Sequence, residues 1–552
     1  MARTYNDSMF IDTFEHEYTW LNGFMRNVRR IPEKKALWDP DTNRSWTYEE
    51  LNIQANKLAN ALQKAGCKKD DVVMGALRNS PEFAFMYTGP RKIGSIFLAA
   101  NFNLASGEMA LLINHNKPKV VVYSANVAKV IEEAEKICLW KPSLFVMADN
   151  IEKVPLPNGH ISYEEFTSTQ SGNEPSVDFR PHIYDEVLRL CTSGTTSLPK
   201  SVPINDINEV LSAHDVIMHY PMNPNDLTLN MTPWFHRGGC HSGGTCPTFY
   251  AGACAVIMRS FRPQTCLDWV EKYHISFLMG APANLEMLAR AQESKNYDLS
   301  SLKGLVTMGA PLSKDSCIRF STLLTPSIFN GYGTTETFWN SFLRPYNLPE
   351  KSGTVGLSCT DDEVRVVKVY ADKKADPNEI VDKDNVTEGE IIIQSPAKST
   401  YSYFHDEKST EQKFYKGWMY TGDTGVWDKD SIVTIKGRKD DMMVVSGENI
   451  YPTQIEEAVI QAEKVKDCIV TSIPDNVRGQ AVVAYVIAED PTLTIKELND
   501  FCAQSKMLSK YKRPRYFAIV DKIPHTATGK KQHNKIKEQA LKDFQDGKLL
   551  RV

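Results

Sequence analysis

The chain has 552 residues, 42% of them hydrophobic and 24% charged, with a formal net charge of −4. That exceeds the ~100–200 residues of a single domain, so more than one is expected, and the composition is that of an ordinary globular protein. The slightly negative charge gives no general attraction to nucleic acid or an anionic membrane, so neither is expected as a partner.

Met1-Ala-Arg-Thr-Tyr-Asn-Asp7 lacks the basic-then-apolar layout of a signal peptide. The longest apolar stretch, Ile93–Ala105, is interrupted by Asn101 and Asn103 and is too short to span a bilayer. Eleven scattered cysteines with no CxxC pair fit free thiols, and a cytoplasmic location is expected. His236, Cys240, His241 and Cys246 lie close together, but they meet no familiar zinc spacing and no structural metal is expected.

In chain order, Thr47-Tyr-Glu-Glu50 reads as a capping box. Leu51, Ala55, Leu58 and Leu62 follow at helical spacing until Gly66. Strand-like stretches (Val72–Leu77, Pro118–Tyr123, Ser143–Met147) alternate with the helix-like Val127–Ile137, which argues for α/β layers with largely parallel sheet.

Glu186–Cys191 reads as a buried strand delivering Cys191-Thr-Ser-Gly-Thr-Thr-Ser-Leu-Pro-Lys200. Gly194 permits a tight turn with backbone N–H groups close to an anion; Thr192, Ser193, Thr195, Thr196 and Ser197 add hydroxyl donors, and Lys200 a positive charge. A polyphosphate loop is the functional reading, and a polar surface turn the plain one. The spacing is one residue from a P-loop signature, with Pro199, which has no N–H, where that signature needs glycine.

Further on, Ala253–Met258 is a strand candidate and Pro263–His274 an amphipathic helix. Phe277–Pro282 and Leu305–Leu312 both read as buried strands running into turns, where open α/β sheets hold ligands. In Ser327-Ile-Phe-Asn-Gly-Tyr-Gly-Thr-Thr-Glu336, Tyr332 suits a purine face, Thr335 a phosphate and Glu336 a Mg²⁺ ion; a glycine turn with a helix N-cap at Thr334 or Thr335 fits equally. Asp423, after a glycine turn, suits ribose hydroxyls or is a plain turn aspartate. The charged segment Arg438–Asp441 is a plausible hinge. Lys506–Lys537 carries ten Lys or Arg against one acid, Asp521, as a solvated face or a surface for a polyanion. Within it, Pro524-His-Thr-Ala-Thr-Gly-Lys530 sets a lysine on a glycine turn.

Taken in order, these stretches resemble the adenylate-forming superfamily of acyl-CoA synthetases, peptide-synthetase adenylation domains and beetle luciferases. The likeness runs from about Thr47 to the end and outweighs the P-loop reading. It implies an α/β fold: a large N-terminal adenylation domain of layered sheets and helices over 1–438, a hinge over 439–441 centred on Asp440, and a small mobile α+β lid over 442–552. It implies a reaction of a small-molecule carboxylic acid, ATP and coenzyme A, with Mg²⁺, through an acyl-adenylate, in which positioning and charge compensation supply most of the acceleration.

By motif, the resemblance assigns Thr192 to Lys200, with Ser193, Gly194, Thr195 and Thr196, to the β- and γ-phosphates. Gly309, Ala310 and Pro311 line the adenine site with Tyr332, and Gly333 and Thr334 join the nucleotide site. Thr335 touches phosphate, Glu336 holds Mg²⁺, and Asp423 and Arg438 bind ribose. Lys530 bridges carboxylate and α-phosphate. Ser446, Gly447 and Glu448 face CoA after rotation at the hinge, and a homodimer stays open. His236, matching an aromatic position near the acyl group, is either catalytic or a core histidine. Ser197 and Ser201 replace glycines common in the family loop, and Lys531-Gln-His533 stands where an arginine is frequent.

The acyl pocket is expected to draw on His236, Arg237, Gly238, Gly331, Gly333, Phe338 and Trp339, which favours an aromatic, alicyclic or medium-chain acid over acetate. Arg237 either pairs with a second substrate carboxylate or faces solvent or an internal acid. The chain ends soon after Lys530 with no carrier-protein segment, so an acyl-CoA synthetase is favoured. An enzyme loading a separate carrier protein, and a silent nucleotide-binding homologue, are the alternatives.

Overall fold

The computed structural model describes residues 6–192, 200–370, 373–441, 443–445, 448–475, 479–505, 508, 512–526 and 529–552. It divides into two compact units, one of Met1–Glu363 with Ile393–Met419, the other of Val364–Ile392 with Tyr420–Val552.

In the first unit the capping box is present: Thr47 Oγ1 accepts from Glu50 N, and the Glu50 carboxylate accepts from Thr47 N. It opens the helix Tyr48–Lys64, whose apolar residues Leu51, Ala55, Leu58 and Leu62 are buried. The expected alternation becomes two sheets. A seven-stranded one holds Val72–Ala76, Ile96–Ala99, Val120–Ser124, Leu144–Ala148 and Ile161–Ser162 in parallel with Glu186–Thr192. A nine-stranded one holds Leu227–Asn230, Phe277–Gly280, Gly304–Met308 and Ile328–Thr334 in parallel register. Val, Ile, Leu and Phe on both faces of these strands are buried because helices cover them, as parallel sheet requires.

Parallel register sends the chain off Phe277–Gly280, Gly304–Met308 and Ile328–Thr334 at one common edge. Phe338–Leu343 then returns antiparallel to Ile328–Thr334, so Thr335, Glu336 and Thr337 form a hairpin turn and not the first turn of a helix. Gly333 is needed there: a Cβ would stand 1.5 Å from the Phe338 carbonyl oxygen.

The second unit contains a four-stranded sheet of Val465–Asp475, Gly479–Ala488, Tyr516–Ile519 and Leu550–Arg551, with the helices Pro452–Val459, Ile495–Gln504 and His533–Gln545. It has its own apolar core, including Ile455, Val470, Val482, Leu498 and Phe517. Trp418–Trp427 pairs antiparallel with Val433–Arg438 and sets Asp423 opposite Arg438. Lys531 and His533 both turn inward: Lys531 Nζ lies 2.9 Å from Asp467, and His533 Nε2 lies 2.7 Å from the buried Glu456 carboxylate.

Burial opposes charging His533, but the hydrogen bond to Glu456 and the charges of Glu456 and Asp441 outweigh it and hold the imidazole above its ordinary pKa. A raised folded-state pKa stabilises fully below the unfolded value of about 6.5 and is lost as pH climbs through the folded one. Wild type should therefore exceed His533→Gln in unfolding midpoint at about pH 5.5 and lose that advantage as the pH climbs through the raised pKa. An advantage constant across this range would contradict the pairing. Among the described residues, no helix is long and apolar enough to cross a membrane.

Candidate active site

The loop expected to enclose phosphates joins two antiparallel strands, Glu186–Thr192 and Lys200–Asn205, with Thr192 paired to Lys200. A P-loop lysine opens a helix, whereas Lys200 opens a strand, so the hairpin removes the P-loop reading. Ser193, Gly194, Thr195, Thr196 and Ser197 lie outside the described residues. Ser201 is buried, and its carbonyl accepts from Phe404 N at 2.9 Å.

That bond anchors a segment whose role motif reading did not assign. Lys200 Nζ sits 5.1 Å from the centre of the Tyr403 ring, and the Tyr403 hydroxyl donates to Glu336 Oε1. The two residues expected to meet the phosphates and the metal thus share one tyrosine. Glu336 is buried, which by itself would raise its pKa. The charge of Lys413 and the Tyr403 hydroxyl overcome that and hold it below the usual carboxylate range. An ionised carboxylate is the hard oxygen ligand Mg²⁺ takes, usually one or two per ion beside substrate phosphates.

Gly309, at φ +85°, carries the chain off Gly304–Met308, and no other atom lies within 4 Å of where its Cβ would be. Gly309 and Pro311 are exposed and Ala310 is half-buried, at the strand end where the adenine site is expected. Tyr332 is buried within its strand and faces Ser341 in register.

Where the acyl group is expected, His236 is half-buried, packs on Phe235 at 4.1 Å between ring centres, and precedes the short helix Arg237–His241. Gly238 lies against Met308, where a Cβ would stand 3.0 Å from its sulfur. Phe338 and Trp339 are buried and stacked at 4.7 Å, and the Trp339 indole covers Gly331. Tyr220, Met279, Met308 and Phe329 join the same apolar cluster.

Arg237 is where the site differs from expectation. It is 3% exposed; Nη1 donates to the Thr335 carbonyl and Nη2 to the Lys398 carbonyl, each at 2.6 Å. Burial lowers its pKa to about 10, so it stays charged at neutral pH. Its two terminal nitrogens donate to backbone carbonyls, and among the described residues no acid forms an ion pair with it.

In the second unit, Arg438 Nη1 donates to Asp423 Oδ1 at 2.7 Å, so the two residues expected at a ribose stand together. Lys530 is exposed on a turn closed by Thr526 N donating to Lys530 O (2.7 Å), and by Lys530 N donating to Thr526 Oγ1 (3.1 Å). Gly529 holds the left-handed φ of +78° that this turn needs. Ser446 and Gly447 lie outside the described residues, as do the side chains of Asp440 and Glu448.

Tyr403, Arg237 as a carbonyl donor, and Lys398 were not legible beforehand. Their partners lie 67, 98 and 59 positions away in sequence, so no local spacing points to them.

Residues 24–403 match the family of AMP-binding enzymes, and residues 454–530 match the AMP-binding enzyme C-terminal domain. The chain is 27% identical over 519 residues to a 4-coumarate–CoA ligase of Humulus lupulus, covering 91% of this chain and 90% of that one. It is 26% identical over 511 residues to a long-chain-fatty-acid–CoA ligase of Mycobacterium tuberculosis, covering 92% and 96%. Its fold matches the crystal structure of an anthranilate CoA ligase in complex with anthranoyl-AMP, with a TM-score of 0.84, 23% identity and coverage of 96% and 98%. The sequence match over most of the length, together with the hairpin loop, the Glu336 turn and the Lys530 turn, leads to one assignment: the chain belongs to the AMP-binding enzyme family.

Proposed function

We propose that the chain is an ATP-dependent, AMP-forming acyl-CoA synthetase. The observation that carries this is the cluster of Lys200, Tyr403 and an ionised Glu336 beside the Thr335 turn, in a chain whose sequence relatives are CoA ligases. A carboxylate oxygen of the acid attacks the α-phosphorus of ATP; the bond from that phosphorus to its bridging oxygen breaks and pyrophosphate leaves. The sulfur of CoA then attacks the acyl carbon, the acyl–oxygen bond breaks, AMP leaves and the thiol proton passes to solvent.

Neither step needs a protein nucleophile, so the side chains act through charge and placement. Lys200 and the 192–199 loop hold the outgoing phosphates, and Thr335 donates to phosphate. Glu336 would hold Mg²⁺, which would neutralise phosphate charge. Asp423 and Arg438 take the ribose hydroxyls, and Lys530 offsets the charge shared by carboxylate and α-phosphate. Residues 1–438, including the segments 364–392 and 420–438 that pack within the second compact unit, act as the adenylating part and 442–552 as a lid turning about Asp440, with Ser446, Gly447 and Glu448 toward CoA and the cytoplasm as location.

Phe338, Trp339, Met279, Met308 and Tyr220, with Gly331 closed over by the indole, support an acid with an aromatic, alicyclic or medium-length apolar body. Turnover of such acids, and of no diacid in preference to its mono-acid, tests the pocket. The engaged guanidinium of Arg237 argues against pairing with a second carboxylate.

Tyr403→Phe removes one of the groups that keep Glu336 ionised. The Glu336 pKa should rise, so the acid limb of the pH–rate profile for pyrophosphate release should move to higher pH. The rate at neutral pH should fall about tenfold. An unshifted acid limb would show that the hydroxyl does not act through Glu336.

A further inference from the structure

We propose that Arg237 and Lys398 are positioning residues that brace the turn carrying Thr335 and Glu336 from behind and tie it to the acyl wall at Trp339. The proposal rests on the adenylating reading of that turn. Three alternate carbonyls, two in the turn and one in the strand that follows it, are caught by buried side chains from elsewhere in the first unit or just beyond the turn. Thr335 O accepts from Arg237 at 2.6 Å, and Trp339 O accepts from Lys398 Nζ at 2.6 Å. Between them, Thr337 O accepts from Asn340 Nδ2 at 3.1 Å and Ser395 Oγ at 3.5 Å.

The two cations are joined, because Arg237 Nη2 donates to the backbone carbonyl of Lys398 itself. Lys398 is 1% exposed, and its three ammonium hydrogens have three acceptors: Trp339 O, Asp215 Oδ2 at 2.8 Å and Asp362 Oδ2 at 2.7 Å. Asp362 also accepts from Asn340 Nδ2 at 2.9 Å, which closes the circuit back onto the turn. His219 Nε2 lies 3.0 Å from Asp215 Oδ1, and Arg344 donates to His219 Nδ1.

The backbone gives a reason for so much support. Phe338, a non-glycine residue, sits at φ +58° between Thr337 and Trp339, a conformation that persists only where surroundings over-determine it. An apolar wall would not need two buried cations, since buried charge is costly unless it is fully paired. Here Arg237 is spent on a carbonyl of the turn and Lys398 on one at the start of the strand that follows it. A planar guanidinium spans two carbonyls, which a lysine ammonium at the same position cannot do in the same geometry.

The test uses the full-length protein with Arg237→Lys, Lys398→Met, and Lys398→Met combined with Asp362→Asn, which relieves one of the two aspartates left without a counter-charge. Amide hydrogen exchange across 334–340 in the ligand-free protein is compared with the unfolding midpoint. ATP affinity is measured by calorimetry with Mg²⁺ and with Mg²⁺ removed by chelation. Arg237→Lys is expected to keep a midpoint near wild type, exchange faster in that segment than in the rest of the first unit, and lose about tenfold of the gain Mg²⁺ gives to ATP binding. The double variant is expected to do the same if Lys398→Met alone unfolds. Unchanged exchange at 334–340, or ATP affinity that falls equally with and without Mg²⁺, would overturn the brace. A wild type that binds no Mg·ATP would defeat the adenylating reading, and the exchange comparison would still decide whether the two cations hold the turn.

Discussion

Lys530→Ala is expected to lower the rate of pyrophosphate release about 10²–10³-fold, while transfer from a supplied acyl-adenylate to CoA stays within a few-fold of wild type. The exposed lysine stands on a turn closed by two hydrogen bonds between Thr526 and Lys530, with Gly529 in the left-handed conformation. A compact ammonium held on a defined turn is suited to a pair of oxygens that gain charge only as the acid meets the α-phosphate. In the second half-reaction that charge leaves with AMP, and the amine has no comparable task. Equal losses in both half-reactions would show that Lys530 serves binding or folding and not the adenylation step.

Glu336→Gln is expected to cost about 10²-fold in pyrophosphate release and to raise the Mg²⁺ concentration needed for half-maximal rate. The substitution keeps the shape and leaves an acceptor for the Tyr403 hydroxyl, so what disappears is the negative charge. The side chain is buried, and a neutral amide there avoids the desolvation that opposes the carboxylate. The unfolding midpoint should hold or rise. A rate restored fully by saturating Mg²⁺ would mean that the carboxylate sets affinity alone; an unchanged rate would remove it from the metal site.

The parts that local sequence encodes were legible. The Thr47 capping box spans four residues, and the stretches 72–77 and 305–312 are rich in apolar residues up to a turn; the first strand ends one residue early, at Ala76, and the second runs from Gly304 and ends at Met308, before the Gly309 turn. The strand Lys200–Asn205 escaped notice because Pro203 and a hydroxyl-rich lead-in mask its pattern, although Pro is tolerated on the edge strand it forms. The turn after Thr334 was open between a glycine turn and a helix start, and only its pairing with 338–343 decides it. Arg237 was read as a pocket or surface charge because its type suggests those. Its carbonyl partners are set by tertiary packing, as are Lys398 against Asp215 and Tyr403 against Glu336. The Lys530 turn was legible from Gly529 alone.

The most direct measurement is pyrophosphate release from Mg·ATP across a panel of aromatic, alicyclic, fatty and short carboxylic acids, each with and without CoA. Multiple turnovers that require both CoA and one apolar class of acid, yielding AMP and a thioester, are the expected result. A single burst of pyrophosphate indifferent to CoA would contradict the synthetase assignment and point to another acyl acceptor such as a carrier protein, and silence with every acid, from a protein that binds no nucleotide, would contradict the adenylating reading itself.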